Sequence, residues 1–321
     1  MRRVLITGGQ GFIGSSVARY FFSKDVITRI SSRERPNANA VVGIEHCITG
    51  DLSADTDWSE ALSGVDVVVH CAGRAHILKD ASFDPLEEFR VANRDGTIKL
   101  ALQAARLGVK RFIFLSSIGV NGAASLQNHP FSEADEPAPH NQYALSKLEA
   151  ENALFEISRL TGMEVVVIRP PLVYGYDAPG NFALLVKAVR SRLPLPLGSI
   201  QNLRSMIFVG NLADFIFQAA INPKAVNQIF LISDGEDLTV SAILRNLSKV
   251  MKIRLFLLPV PLGLLRALAM CVGAYGMVDR LCCTLQIDAS KARKLLEWSP
   301  PFSLNEGFSR SVSRISASNK I

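Results

Sequence analysis

Five cysteines in 321 residues form no C-x-x-C pair, and Cys282-Cys283 are adjacent, a poor geometry for mutual bridging. That pattern excludes a disulfide scaffold and a thiolate zinc site. The five histidines do not cluster with carboxylates at ligand spacing, so no metal is expected. Reduced thiols suit a cytoplasmic setting. Lysines and arginines form neither a block nor an aromatic-interleaved stripe, so the net charge of +6 does not call for nucleic acid. No repeat or low-complexity tract is present. There is also no uninterrupted apolar run of membrane-spanning length. The most apolar stretch, Leu255 to Val278, is broken by Pro259, Pro261 and Arg266 and diluted by three glycines. It reads as a buried or dimer-facing helix, with peripheral membrane contact as the alternative. No signal peptide is expected, because residues 4–7 run straight into a glycine turn.

With 48% apolar residues, a chain of this length can bury about three quarters of its unfolded surface, enough for one α/β body and a smaller lobe. Arg3 to Thr7 carries Val4, Leu5 and Ile6 in the unbroken run of a strand buried on both faces. Gly8, Gly11 and Gly14 follow at intervals of three, with a helix from about Gly11 to Phe22 that includes Phe12 and Ile13. Glycines let backbone approach a pyrophosphate, and a helix N-terminus is partially positive. The spacing is not the common G-x-G-x-x-G, and a tight turn without ligand is the alternative reading. A second strand, Val26 to Ile30, leads into Ser31-Ser32-Arg33-Glu34-Arg35. No acid stands at the strand tip for ribose hydroxyls, while Ser32 and Arg33 suit a 2′-phosphate, so NADP(H) is expected over NAD(H). The alternative is a solvated arginine. Asp51 and Leu52, after the run Ile44 to Ile48, are placed to touch adenine. Val65 to His70 ends in Cys71-Ala72-Gly73, small residues that let a cofactor lie across the strand ends. His70 and Cys71 read as packed wall residues rather than catalysts.

The strand Arg111 to Leu115 places Ser116-Ser117 at its C-terminal tip, where open parallel sheets hold ligands. Asn141 to Leu160 reads as a helix with Gly162 after its end, and Tyr143 and Lys147 share one face of it. A tyrosine acting as base near neutrality must lose about 2–3 pH units from its usual value near 10, roughly 3–4 kcal/mol. A nearby ammonium and an oxidised nicotinamide ring can supply that. Ser117 would hydrogen-bond the same substrate oxygen. The order of glycine turn, strand-tip serine and Tyr-x-x-x-Lys pair describes an oxidoreductase.

On these residues the chain resembles the extended short-chain dehydrogenase/reductases, the nucleotide-sugar epimerase, dehydratase and reductase group. The likeness runs nearly the full length. It includes Asn93 on a helix and Arg169-Pro170-Pro171-Leu172-Val173-Tyr174-Gly175 after the sixth strand. It also takes in Arg204 to Val209 leading into Asn211-Leu212-Ala213, and the segment Ser290 to Trp298. The resemblance implies Ser117, Tyr143 and Lys147 as the triad, with Lys147 also holding the nicotinamide ribose. Asn93 and Pro170 are implied on the cofactor side, Asn181 and Arg204 on the substrate side. It also implies a homodimer. Ile118-Gly119 stand where the family's 4,6-dehydratases carry an Asp-Glu pair, which argues against dehydration. Cys71-Ala72-Gly73-Arg74-Ala75-His76 and Leu195 to Ser199 are similar to the branch acting on UDP-linked 6-deoxy-4-keto-N-acetylhexosamines in surface polysaccharide synthesis.

The expected architecture is a Rossmann-type doubly wound parallel sheet from 1–170 and 204–233, with a mostly helical substrate lobe from 171–203 and 234–321. The acids between Asn121 and His140 are expected to be solvated on a mobile flap. The leading expectation is reduction of a 4-keto UDP-sugar, with UDP-hexose 4-epimerase as the alternative. A nucleotide-binding sensor without turnover stands third.

Overall fold

The computed structural model describes residues 1–34, 42–75, 84–126, 128–271, 273 and 275–312. Arg35 and His76 lie outside the described residues.

Six strands occupy the first half. They are β1 (Arg3–Thr7), β2 (Ile27–Ser32), β3 (Glu45–Ile48), β4 (Val67–His70), β5 (Arg111–Leu115) and β6 (Glu164–Arg169). Helices are described between all of them but β2 and β3, namely α1 (Phe12–Ser23), α2 (Ser59–Leu62), α3 (Pro85–Phe89), α4 (Gly96–Arg106) and α5 (Gln142–Thr161). The second half adds β7 (Leu172–Tyr174), α6 (Asn181–Arg190), β8 (Leu203–Arg204), β9 (Met206–Phe208), α7 (Val209–Ile221), β10 (Gln228–Leu231) and β11 (Leu238–Thr239). It closes with α8 (Val240–Met251), α9 (Leu262–Cys271), α10 (Tyr275–Cys282), α11 (Ser290–Leu296) and α12 (Leu304–Val312).

Seven strands form one parallel sheet in the order β10-β6-β5-β4-β1-β2-β3. Val4, Leu5 and Ile6 are wholly buried, as are Val68 and Val69 in β4. Helices cover both sheet faces, so these strands tolerate no polar alternation. One face packs Val17 and Phe21 of α1 with Phe215 and Ile216 of α7. The other packs Leu100 and Ala104 of α4 with Leu154 of α5. The chain reverses its winding direction between β1 and β4, which opens a crevice at their C-terminal ends.

A third cluster builds the lobe from α6, α8, α9, α12 and the β7–β9 pair, around Tyr174, Phe182 and Phe308. Tyr174 donates to Asp234 Oδ2 at 2.8 Å, and Asn211 Nδ2 donates to Asp234 Oδ1 at 2.7 Å. A Cβ on Gly307 would stand 2.4 Å from the Tyr174 hydroxyl, so α12 packs flush against that ring. Ala292, Leu296 and Trp298 turn back to the sheet cluster rather than to this lobe.

The described parts of the 121–140 segment are not a free flap but are pinned at several points. Phe131 N donates to Gln286 O at 2.9 Å, Asp288 N to Phe131 O at 2.8 Å and Ala138 N to Val120 O at 3.0 Å. Glu133 is not a solvated acid. Its Oε1 accepts from Leu231 N at 2.8 Å, and burial raises its pKa above the usual carboxylate range.

Candidate active site

The glycine turn begins directly after β1. Gly8 has φ +64°, and a Cβ there would stand 3.0 Å from the backbone of Ala72 after β4. A Cβ on Gly14 would meet Gly8 O at 2.2 Å, and one on Gly9 would strike Ile30 at 2.3 Å. These contacts let α1 start immediately behind the turn. Ser15 N donates to Gly11 O at 2.9 Å, opening the helical ladder, so the N–H groups of Phe12, Ile13 and Gly14 precede any intrahelical acceptor. The result is a backbone cradle at the crevice between β1 and β4, suited to a diphosphate. Gly9 was absent from the sequence expectation, and its role is visible only against Ile30.

A buried relay holds the opposite wall. Thr97 donates its hydroxyl proton to Asn93 O at 2.7 Å, so at 2.9 Å His70 Nε2 must be the donor to Thr97. His70 Nδ1 then accepts from the Thr7 hydroxyl at 2.6 Å, while Thr7 Oγ1 accepts from Ala72 N at 3.1 Å. Burial, with Lys147 adding to it, lowers the His70 pKa to about 3, so the imidazole is neutral, as a wall residue should be. Burial raises the Cys71 thiol to about 12. Asn93 sits in a π-helical turn, Arg90–Asp95, between α3 and α4. Its side chain accepts from Arg74 N at 2.8 Å and donates to Arg74 O at 3.1 Å and to Ser146 Oγ at 3.1 Å. It thereby clasps the strand-tip loop to α5.

Helix α5 starts at the Asn141 cap, whose Oδ1 accepts from Ala144 N at 2.8 Å, and ends at Gly162 with φ +77°. Its first turns cross the tip of β5. Lys147 is 3% exposed and donates from Nζ to Leu115 O at 3.0 Å, with Nζ 4.5 Å from the Phe114 ring and 6.0 Å from the Tyr143 ring. Ser117 caps a 3₁₀ turn, accepting from Gly119 N at 3.1 Å, and a Cβ on Gly119 would lie 3.4 Å from the Ala144 Cβ. Gly73 brings the cradle to the same place, since a Cβ there would stand 3.0 Å from Asn93 Oδ1 and 3.3 Å from Lys147 Nζ. Ile118 N donates to Pro170 O at 3.0 Å, so the tips of β5 and β6 are joined. Ser117, Tyr143, Lys147, Gly73, Asn93 and Pro170 therefore share one crevice.

Burial raises the Tyr143 phenol to about 12, so the fall that action as a base needs must come from positive charge brought to the ring. Burial also lowers Lys147 to about 8, against the opposing pull of Cys71 and Glu151. The protein's own groups thus keep the phenol protonated at neutral pH, a state fit to donate. Taking a proton back requires positive charge beside the ring, which an oxidised nicotinamide supplies. Because the Lys147 ammonium loses its proton as pH rises through about 8, kcat/KM for the dinucleotide is expected to decline through that region. A flat profile there, measured with saturating sugar, would show that the ammonium does not matter.

Behind Ser117, Tyr143 and Lys147 lies a polar network whose pairing has no local mark in the sequence. Arg169 and Glu151 are 2% and 1% exposed and form a bidentate pair, with Nη2 to Oε2 at 2.5 Å and Nε to Oε1 at 3.0 Å. Ser116 donates to the same carboxylate, and Arg169 Nη1 donates to Asn121 Oδ1 at 3.0 Å. Glu151 lies one turn beyond Lys147, so the spacing 143, 147, 151 already marked one helix face.

Other expected site residues fall elsewhere. Ser32 Oγ donates to Glu34 O at 2.7 Å and accepts from Gln10 Nε2 at 3.0 Å, beside the glycine turn. The strand tip is not free of acid. Asp51, from beyond β3, stands 3.8 Å from Arg33, and both are largely exposed. Leu52 turns inward, filling the space where a Gly96 Cβ would clash at 2.6 Å. Asn181 is exposed at the start of α6. Arg204 donates to Cys283 O at 3.1 Å, and burial lowers its pKa. Among the described residues there is no metal-binding group of His, Cys, Asp and Glu.

The fold and crevice define a Rossmann-type α/β protein with a dinucleotide cradle. Residues 4–233 match the model of the NAD dependent epimerase/dehydratase family, and the chain belongs to that family of enzymes. It is 41% identical to a UDP-glucose 4-epimerase of Vibrio cholerae, over 97% of this chain and 94% of that one. It is 28% identical to the N-acetyl-alpha-D-glucosaminyl-diphospho-ditrans,octacis-undecaprenol 4-epimerase of Escherichia coli O157:H7, over 96% and 94%. In fold it is similar to the crystal structure of UDP-N-acetylglucosamine 4-epimerase from Bacillus cereus, with TM-score 0.78, 19% identity and coverage of 96% and 97%.

Proposed function

We propose that this enzyme transfers hydride at C4 of a UDP-linked hexose, in the net direction of reducing a 4-keto-6-deoxy-N-acetylhexosamine. The convergence of Ser117, Tyr143 and Lys147 with the glycine cradle carries this reading. When bound, the nicotinamide supplies or accepts the hydride. Tyr143, protonated at neutral pH, gives its proton to O4 as the carbonyl carbon is reduced. Ser117 orients that oxygen, and Lys147 holds the ribose and returns positive charge to the phenol. Phe89, edge-on to Tyr143 at 6.0 Å, keeps the ring from swinging away. The cradle residues Gly8, Gly11, Phe12, Ile13 and Gly14 take the diphosphate, with Cys71, Ala72, Gly73 and Pro170 beneath the nicotinamide half. Asn181 and Arg204 remain the substrate-side candidates, reached from the lobe of 171–203 and 234–321.

The second reading is 4-epimerisation, favoured by the names of the relatives at 41% and 28% identity. The same three residues serve it, because hydride leaves C4 and returns to the other face of a turned sugar. Purified protein decides between the two. Stoichiometric bound NAD⁺ with interconversion of UDP-hexoses supports epimerase, whereas consumption of NAD(P)H by a 4-keto sugar, with mass analysis of the product, supports reductase.

NADP(H) preference belongs to this proposal and rests on Arg33 and Ser32 beside the turn. Asp51 partly offsets it. Arg33→Ala is expected to raise KM for NADPH about tenfold or more while leaving KM for NADH unchanged, the loss of one charge-assisted contact. Equal Michaelis constants for the two cofactors in the unmodified enzyme would remove the preference. A cytoplasmic homodimer in surface polysaccharide synthesis completes the proposal, and light scattering tests the dimer.

A further inference from the structure

We propose that the C-terminal lobe carries a docking face for an anionic phospholipid surface, formed by the outer side of α9 and the adjoining 192–198 and 252–258 segments. This inference does not depend on the reaction assigned above.

Backbone pairing joins the two segments. Leu195 N donates to Phe256 O at 2.8 Å, Leu258 N to Leu195 O at 2.8 Å and Gly198 N to Leu258 O at 3.0 Å. Extended chain alternates its side chains. Leu255 and Leu257 therefore pack on the lobe core, while Lys252, Arg254, Phe256 and Leu258 face outward. Phe256 is 43% exposed, Leu258 48% and Leu193 64%. Helix α9 follows Leu258 closely in the chain and is apolar on its outer side too. Leu265 and Ala269 are buried, but Leu264 is 54% and Met270 63% exposed. Its one charged residue, Arg266, is only part-exposed and pairs with Asp279 at 2.7 Å. Thus the apolar stretch that reads as a buried helix buries one side only. Exposed apolar side chains concentrated in this way in one lobe mark an interaction site.

Charge selects the occupant. No Asp or Glu occurs from 178 to 213 or from 238 to 278, and every charged side chain in both stretches is Lys or Arg. Arg192 adjoins Leu193, and the Arg254 guanidinium lies 4.9 Å over the Phe256 ring. An apolar face with an aromatic anchor, Phe256, and a rim where Arg192, Lys252, Arg254 and Arg266 outnumber Asp279 is the composition of a surface lying in a membrane interface. A second copy of this chain fits less well, because a two-fold contact through the face would set basic rim against basic rim. Among the described residues no helix is long and apolar enough to cross a membrane, so the contact is peripheral.

Flotation of the full chain with phosphatidylcholine vesicles, with and without phosphatidylglycerol, tests this. The protein is expected to float with the anionic vesicles and to be released by salt, which screens the rim. Leu264→Glu with Met270→Glu, and separately Arg192→Glu with Arg254→Glu, are each expected to weaken binding by at least about tenfold, with thermal unfolding unchanged. No flotation with anionic vesicles, or undiminished binding by both folded variants, overturns the proposal. So does light scattering in which wild type self-associates without lipid and the variants do not.

Discussion

Tyr143→Phe is expected to lower kcat about 10²–10⁴-fold, equal to about 2.7–5.5 kcal/mol of transition-state stabilisation. The substitution removes one oxygen and keeps the ring that packs against Phe89. Cofactor binding and thermal stability should therefore remain as in the parent enzyme, which separates a lost proton from a lost fold. Burial holds the phenol at about 12, so the folded protein presents a donor ready for O4. Ser117 can orient that oxygen and Lys147 can attract developing charge, but neither replaces the proton. Steady-state turnover with a 4-keto sugar, and with UDP-hexose pairs for the second reading, measures the effect. Undiminished kcat in a folded Tyr143→Phe enzyme would contradict both readings, because each moves a proton at O4 through this group.

Arg169→Met is expected to destabilise the protein by about 3–5 kcal/mol, the usual consequence of leaving a buried charge without its partner. Glu151 is 1% exposed and receives its charge compensation from Arg169 through both oxygens. The remaining donor, Ser116, neutralises nothing. Urea unfolding of the single variant and of Arg169→Met with Glu151→Met makes the comparison. The double variant should recover most of the loss, since neither member of the pair then leaves the other as a partnerless buried charge. A single variant within about 1 kcal/mol of the parent would show that the pair is not holding β5, α5 and β6 together. Loss of the pair should also loosen the tip of β5, because Ser116 and Asn121 anchor to it from either side of Ser117.

Much of the frame was readable along the chain. β1 and β5 occupy the bounds that their apolar runs imply, and α5 runs between the Asn cap and the left-handed glycine that its ends announce. These are local signals, set by period, capping and φ. β2 extends to Ser32, beyond the apolar run ending at Ile30, because β3 pairs with Ser31 and Ser32. That decision belongs to a partner strand and leaves no mark on the run itself. Glu133 looked like one more solvated acid on a polar loop, yet a backbone N–H of β10 claims it. Asp51 and Arg33 are eighteen positions apart and meet only where β2 and β3 lie side by side.

By its own order of residues the chain determined a parallel α/β core, a glycine turn before a helix, and a tyrosine and lysine on one helical face. Each of these follows from short-range geometry that any window of the chain carries. Tertiary structure alone decided that the Tyr143 phenol is held protonated, that His70 is neutral, that Glu151 and Arg169 pair behind the tip of β5, and that α9 shows one apolar face to solvent. Those outcomes depend on desolvation and on partners remote in the chain, quantities that arise only when separate segments exclude water together.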